Sequence, residues 1–321
     1  MSDLPICSIV IPAFNEEQHI TACLTSIENQ SYSRGLYEII LVDNGSTDRT
    51  AEIASAFADQ VVNKSDGNIG AVRNFGIERA TGEIIICTDA DCVVPPNWVE
   101  TGVDLLRSQP KHAFGGGLMP RKNAKWIEKY WILNETGNRI QQRALAGSSI
   151  FMWKRDFERI GGFDETVTSG EDSGLYEQAL AHGLAVIISP ALSVAHLGGP
   201  ETPRDFVRRQ IWHSENYIPD LANSLKDKVF WLTLTFLGCL AGTLFSILTA
   251  SYFSAAILLL CSQMPAATLS LKRIIRSAWR VNSIHELTKI LIIDNFYLVG
   301  RCIGLLKGFW AVLVKPTGRA S

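Results

Sequence analysis

Through the first hundred residues, short apolar runs alternate with stretches whose apolar positions recur every three or four residues. The runs "CSIVIPAF", "YEIILVD", "QVVNK" and "GEIIICTD" read as strands, and "EEQHITACLTSIENQ", "DRTAEIASAFA" and "IGAVRNFGIERA" as helices between them. That order predicts an α/β domain with a parallel sheet and helices on both faces. Strands of such sheets are nearly continuous apolar runs, and ligands bind beyond their carboxyl ends. The first, second and fourth strands end in polar residues, Pro12 to Glu17, Asp43 to Asp48 and Asp89 to Asp91, so these segments are expected at one edge. From Ala113 the pattern loosens through "FGGGLMPRKNAKW", a tryptophan-rich helical stretch and "AGSSIFMWKRDFERIGGFDE". It ends in a loop entering a helix at "SGEDSGLYEQALAHG", the strand-like "AVIIS" and "VAHLGG".

Farther along, charge leaves the chain. Val229 to Leu271 contains no Lys, Arg, Asp or Glu, about twice the ~20 residues that cross a bilayer as a helix. A break at "TASYFS" divides the run into two spans, about 229–249 and 252–271. The chain thus divides into a globular part, 1–225, and a membrane region, 226–321. Arg204, Arg208, Arg209, Lys226 and Lys228 precede the hairpin, Lys272, Arg273, Arg276 and Arg280 follow it, and the turn has no basic residue. Both ends are therefore expected on the cytoplasmic side, the globular part with them. The last apolar stretch, about 285–314, contains Asp294, Arg301 and Lys307, each costing about 2.5–3.5 kcal/mol at mid-bilayer. A third span would also send Lys315 and Arg319 outside, so an amphipathic or interfacial helix is expected.

A net charge of −2 over 321 residues, without a long basic run in the globular part, gives no electrostatic reason to expect nucleic acid. Seven scattered cysteines lack a C-x-x-C pair and fit a reducing compartment. The N-terminus has no basic n-region and Pro12 interrupts its apolar run, so it reads as the first strand, not a signal peptide.

The polar strand ends carry the candidate chemistry. Asp89 and Asp91 in "TDADC" lie one residue apart, on one side of an extended segment. Two carboxylates in a poorly solvated crevice repel unless a cation offsets the cost, which points to Mg2+ or Mn2+. An Asp-x-Asp triplet alone is weak, because chance produces it often. In "VDNGSTDRT", Asp43 offers a carboxylate to the N–H edge of a base, although the segment is also good turn and cap chemistry. Arg73 either solvates its helix or forks onto phosphate. Glu171 and Asp172 supply either an acidic first turn or a catalytic carboxylate. His196 is either a packed histidine or a metal ligand.

In content and order, "IVIPAFNEE", "ILVDNGSTD", "GNIGAVRNFG", "TDADC", "GGFDE", "GED" and "AHLGG" resemble the family 2 glycosyltransferases, inverting enzymes of the GT-A fold, a doubly wound mixed sheet. The resemblance covers roughly the first 200 residues. It implies that Pro12, Asn15 and Glu16 border a nucleotide pocket and that Asp43 binds the base. Arg73 would meet the diphosphate, Asp89 the ribose or the metal's water shell, and Asp91 the metal. Asp172 would be the general base and His196 a later metal or diphosphate contact. The family often continues Glu-Asp-x-Asp-Leu, whereas here Gly174 replaces the second acid. "RRQIWH" lacks the Gln-x-x-Arg-Trp element of processive synthases, so single-sugar transfer is implied. The expected partners are a nucleotide-sugar donor, a UDP-sugar foremost, a lipid-linked or glycan acceptor, and the membrane. Cell-envelope or extracellular polysaccharide synthesis is the expected setting. Two rivals stand beside this reading: a nucleotidyltransferase of similar architecture, for which "IPAFNEE" lacks a glycine- and lysine-rich phosphate loop, and a catalytically idle membrane scaffold that binds nucleotide sugar.

Overall fold

The computed structural model describes residues 4–133, 144–167, 170–219 and 221–314. Lys315 and Arg319 lie outside the described residues, as do Thr168, Ser169 and the tail of the tryptophan-rich stretch. The chain packs as two compact units. One comprises residues 1–123 and 134–198, the other residues 124–133 and 199–321.

The first unit opens with β1 (Cys7–Ala13), α1 (Ile20–Glu28), β2 (Tyr37–Asp43), α2 (Thr50–Ala54), β3 (Gln60–Asn63), α3 (Ile69–Ile77) and β4 (Ile84–Cys87). These are the elements that the hydrophobic pattern predicts. It continues with β5 (Cys92–Val93), α4 (Trp98–Ser108), β6 (His112–Gly115) and β7 (Leu118–Met119). Helix α5 (Trp126–Ile132) then belongs to the second unit, and the chain returns with β8 (Ile150–Trp153), α6 (Lys154–Ile160), α7 (Glu171–Ala181), β9 (Ala185–Ile188) and β10 (Val194–His196).

The main sheet has the order β3-β2-β1-β4-β8-β6-β9. Strands β3, β2, β1 and β4 are parallel, and β8 runs antiparallel between β4 and β6, which makes the sheet mixed. Alternate residues feed two cores. Ile9, Ile11, Ile39, Leu41, Ile84 and Ile86 pack with α1 and α4, whereas Val10, Ile40, Val42, Ile85 and Cys87 pack with α3, α6 and α7. Fully burying one such aliphatic side chain stabilises the fold by about 1.5–3 kcal/mol, so both faces of the sheet must be covered.

Pro12 shows why the ladder opens where it does. Val10 O accepts from Thr88 N on the β4 side and Ala13 O from Asn44 N on the β2 side, so residue 12 would direct its missing N–H toward β4. The β1–β4 register has already ended at Val10 opposite Cys87. A proline costs no ladder hydrogen bond there.

The second unit holds α5, α8 (Pro203–Ser214), α9 (Leu221–Ser224), α10 (Lys228–Leu248), α11 (Tyr252–Ser277) and α12 (Ile284–Val314). Helices α10, α11 and α12 are each long and apolar enough to cross a membrane. The sequence boundary at residue 225 lies just before charge leaves the chain at Val229, but packing groups residues 199–225 with the apolar helices. The reason is visible on α12, where Gly300, Gly304 and Gly308 leave a groove in which Val207, Gln210, Ile211, Ser214 and Glu215 lie too close for a Cβ.

The three charges counted against a crossing by α12 are all partnered. Asp294 accepts from Arg273 Nη1 at 2.7 Å and Ser270 Oγ at 2.6 Å. Arg301 donates to His213 O and Tyr217 Oη, and Lys307 lies 3.4 Å from Glu215. Insertion costs for lone charges therefore do not describe this helix. Arg273 also donates to the Tyr130 carbonyl of α5 and lies over the Trp131 ring.

Candidate active site

The chain builds β2 and β3 on one side of β1 and then places β4 on the other. The crevice beyond the carboxyl ends of β1 and β4 is therefore the topological switch point, where ligands of such sheets bind. The loops there are clipped together. Asn15, at a left-handed φ of 56°, accepts from Thr47 N at 2.8 Å, and its own N–H donates to Ser46 Oγ at 3.0 Å. Asparagine tolerates this backbone region better than most residues. Asp48 caps the start of α2 through Thr50 N. Asp43 is buried and accepts from Ser46 N at 3.2 Å and Asn63 Nδ2 at 3.3 Å. The turn expected of "VDNGSTDRT" is thus present, but Asp48, and neither Ser46 nor Thr47, supplies the side-chain acceptor at the start of α2.

Beyond β4 the chain turns instead of staying extended, with Cys92 N donating to Asp89 O at 3.0 Å. Asp89 and Asp91 come together through this turn, not through the alternation of a strand. Antiparallel pairing of β5 with β10 sets His196 opposite Cys92, and Leu197 N donates to Asp91 O at 2.6 Å. Asp91 Oδ2 lies 3.3 Å from His196 Nε2. One donor atom from each of Asp89, Asp91, Cys92 and His196 falls within 4.8 Å of the others. Carboxylate oxygens and an imidazole nitrogen suit a divalent cation, so these residues fit the metal that Asp89 and Asp91 imply.

Glu16 belongs to the same neighbourhood. Partial burial raises its carboxyl above the ordinary value, opposed by a hydrogen bond from His19 and reinforced by the negative charge of Asp91. Gly198 matters through what it lacks, since a Cβ there would stand 2.2 Å from Asp91 Oδ2. We expect Gly198→Ala to push the Asp91 carboxylate aside and weaken metal binding by about 10- to 100-fold. Titrating Mn2+ by electron paramagnetic resonance checks this, and unchanged affinity would contradict it.

Arg73 does not solvate its helix; it is 3% exposed. Nη1 donates to Glu171 Oε1 at 2.5 Å, Nη2 donates to Asp89 Oδ1 at 2.7 Å, and the guanidinium lies over the Phe163 ring. Burial alone would lower its pKa, but the charges of Asp89 and Glu171 outweigh that and raise it. Asn68 and Asn74 fasten α3 to the "GGFDE" segment through Glu165 O, Val167 O and Phe163 O. Asp172, in the first turn of α7, accepts from Gly147 N at 3.3 Å. Gly147 is itself pressed against Arg73, leaving no room for a Cβ. One guanidinium therefore joins the Asp89–Asp91 turn to the helix start that carries Asp172.

Cys92, Glu171, Gly147 and Gly198 were not singled out for these contacts by sequence. Cys92 follows the Asp-x-Asp directly, but only the β5–β10 register turns its sulfur into a neighbour of His196.

Two family models match the chain: Glycosyl transferase family 2 over residues 8–155 and Glycosyl transferase family group 2 over residues 84–293. Glycosyltransferase AglE of Haloferax volcanii is 28% identical over 211 residues, 62% of this chain and 69% of that one. A Methanococcus voltae protein named dolichyl N-acetyl-alpha-D-glucosaminyl phosphate 3-beta-D-2,3-diacetamido-2,3-dideoxy-beta-D-glucuronosyltransferase is 27% identical over 175 residues, 51% of each chain. Mannosyltransferase PcManGT from Pyrobaculum calidifontis, solved with GDP-Man and Mn2+, has a TM-score of 0.60 at 19% identity, covering 97% of this chain and 89% of that one. That likeness is one of fold. With the family match running from the first strand into α12, the chain belongs to the family 2 glycosyltransferases and has their GT-A fold.

Proposed function

We propose that this glycosyltransferase is a membrane-anchored, metal-dependent, inverting enzyme. It moves one sugar from a nucleotide-diphosphate donor, a UDP-sugar by expectation, to a lipid-linked or glycan acceptor in cell-envelope or extracellular polysaccharide synthesis. Residues 1–225 act as its catalytic domain and 226–321 as its membrane region. The observation that carries this reading is the Arg73 bridge, which ties Asp89 of the metal-donor turn to Glu171, the neighbour of Asp172.

Asp172 takes the acceptor hydroxyl's proton as its oxygen attacks the anomeric carbon, and direct displacement inverts that centre. The Gly147 N–H steadies one carboxylate oxygen and leaves lone pairs for the incoming proton. Pro12, Asn15, Glu16 and Asp43 shape the nucleotide side of the crevice, with Asp89 and Arg73 toward the ribose and diphosphate. Asp91 and His196 hold Mg2+ or Mn2+, which when bound offsets the charge of the departing diphosphate. The dolichyl phosphate in the Methanococcus voltae relative's name supports a lipid-linked acceptor. The GDP-Man and Mn2+ bound by PcManGT support a nucleotide sugar with a divalent cation, without carrying over its base.

Donor binding is expected to require the cation and Asp91. Thermal stabilisation of the detergent-purified protein by a nucleotide-sugar panel with Mn2+ identifies the donor, and Asp91→Ala or EDTA removes the effect. Equal stabilisation of Asp91→Ala with and without EDTA would overturn the metal assignment. The catalytic domain faces the cytoplasm, where nucleotide sugars are made available. A cysteine introduced at Ser251, in the turn between α10 and α11, should react with an impermeant label only from the opposite side. Labelling from the cytoplasmic side would refute this topology.

A further inference from the structure

We propose that Cys92 is a fourth donor at the metal cluster, so that the site binds Zn2+ through sulfur and, so loaded, excludes the Mg2+ or Mn2+ of sugar transfer. The proposal rests on the reading of Asp91 and His196 as metal ligands and concerns which cation this chain accepts.

The geometry is set by the short β5–β10 ladder. Residues directly opposite in an antiparallel pair project to the same face, and Cys92 stands opposite His196. Cys92 Sγ lies 3.7 Å from Asp91 Oδ1, and His196 Nε2 lies 3.3 Å from Asp91 Oδ2. Around a tetrahedral zinc with bonds of about 2.0–2.3 Å, donors stand roughly 3.3–3.8 Å apart. Each spacing, one from Oδ1 and the other from Oδ2 of Asp91, falls in that range, and with one donor atom taken from each of the four residues no pair exceeds 4.8 Å. The sulfur is fully buried and in no disulfide.

Donor chemistry then separates the cations. Mg2+ takes oxygen ligands in near-octahedral geometry and keeps several waters, so a thiol adds nothing to its binding. A soft thiolate beside imidazole and carboxylate selects zinc. As the Zn–S bond forms, the S–H bond breaks and its proton passes to solvent by way of the Asp91 carboxylate that the thiol faces, and no electron is transferred. Zinc held this way closes around the turn that must also accept the donor's diphosphate, so Zn2+ inhibits by occupancy.

The test uses Co2+ as a spectroscopic stand-in for Zn2+, with the full-length protein in detergent. Wild type should show a near-ultraviolet sulfur-to-cobalt charge-transfer band that Cys92→Ser lacks and Cys23→Ser keeps. Cys23 is the relevant control because its Sγ lies 3.5 Å from Asp89 O. Zn2+ affinity, measured by competition with Co2+, should fall at least about 10-fold in Cys92→Ser, the scale on which even outer-shell changes act. Mn2+ affinity, read by electron paramagnetic resonance, should move by less than about threefold, since manganese favours oxygen ligands. Cobalt bound to wild type without the band overturns the proposal whether or not the variant folds. So does a band that follows Cys23, or equal loss of Zn2+ and Mn2+ binding. Should wild type bind neither Co2+ nor Mn2+, the metal reading itself fails; binding of both without sulfur leaves that reading standing and removes only Cys92 from it.

Discussion

Replacing Asp172 with asparagine is expected to lower turnover by roughly 10² to 10⁴ while leaving donor affinity unchanged, because that is the scale of general-base catalysis. The amide preserves the shape that receives the Gly147 N–H at 3.3 Å, but it cannot take a proton at neutral pH. The neighbouring acid provides the comparison. Glu171 is 7% exposed and engaged by Arg73, so it is positioned as the arginine's counter-charge and not as a base facing an acceptor. Glu171→Gln should therefore cost stability more than chemistry. Single-turnover measurements with saturating donor separate the two variants. Near-normal turnover in Asp172→Asn with a dead Glu171→Gln would move the base by one residue, and activity in both would end the mechanism.

The largest expected loss of stability follows from Arg73. Its substitution by alanine leaves Glu171 and Asp89 without their shared cation, and breaking a buried pair from one side costs about 3–5 kcal/mol. For a unit of this size that corresponds to a fall in Tm of roughly 6–20 °C. Arg73→Lys should recover only part, since an ammonium keeps the charge but not the planar fork that reaches two carboxylates. Thermal unfolding of the purified protein decides the matter. If Arg73→Ala melts within a degree or two of wild type and only the donor KM rises, the arginine is a substrate contact and the bridge has no structural weight.

The first seven elements could be read from sequence because each depends on its own periodicity. Buried parallel strands such as Ile39 to Val42 are apolar throughout, and "EEQHITACLTSIENQ" repeats at helical spacing. Their polar ends could be placed at one edge because a βαβ order fixes which ends meet. What remained hidden depends on register or on long separations. Arg73 reaches Glu171 across 98 positions, and nothing local in "GNIGAVRNFG" distinguishes that from an exposed arginine. The apolar strand that runs directly into Asp89 to Asp91 predicts an extended segment, where the chain in fact turns. The antiparallel entry of β8 and the assignment of α5 to the helical unit follow from which strand edge and which helix face remain open, and hydropathy records neither.

Tyr130 of α5 and Arg273 of α11 are 143 positions apart, yet they share a hydrogen bond inside one packed unit. Ribosomes add about 5–20 residues per second, so α5 exists for roughly 7–30 s before its arginine is made. Through that interval its aromatic face, Trp126, Tyr130 and Trp131, has no Ile290, Ile293 or Tyr297 to cover it. The nascent chain thus carries an adhesive patch between two halves of a sheet that is still being assembled. A translational pause placed after residue 133 would lengthen that exposure, whereas rapid synthesis through α12 would shorten it.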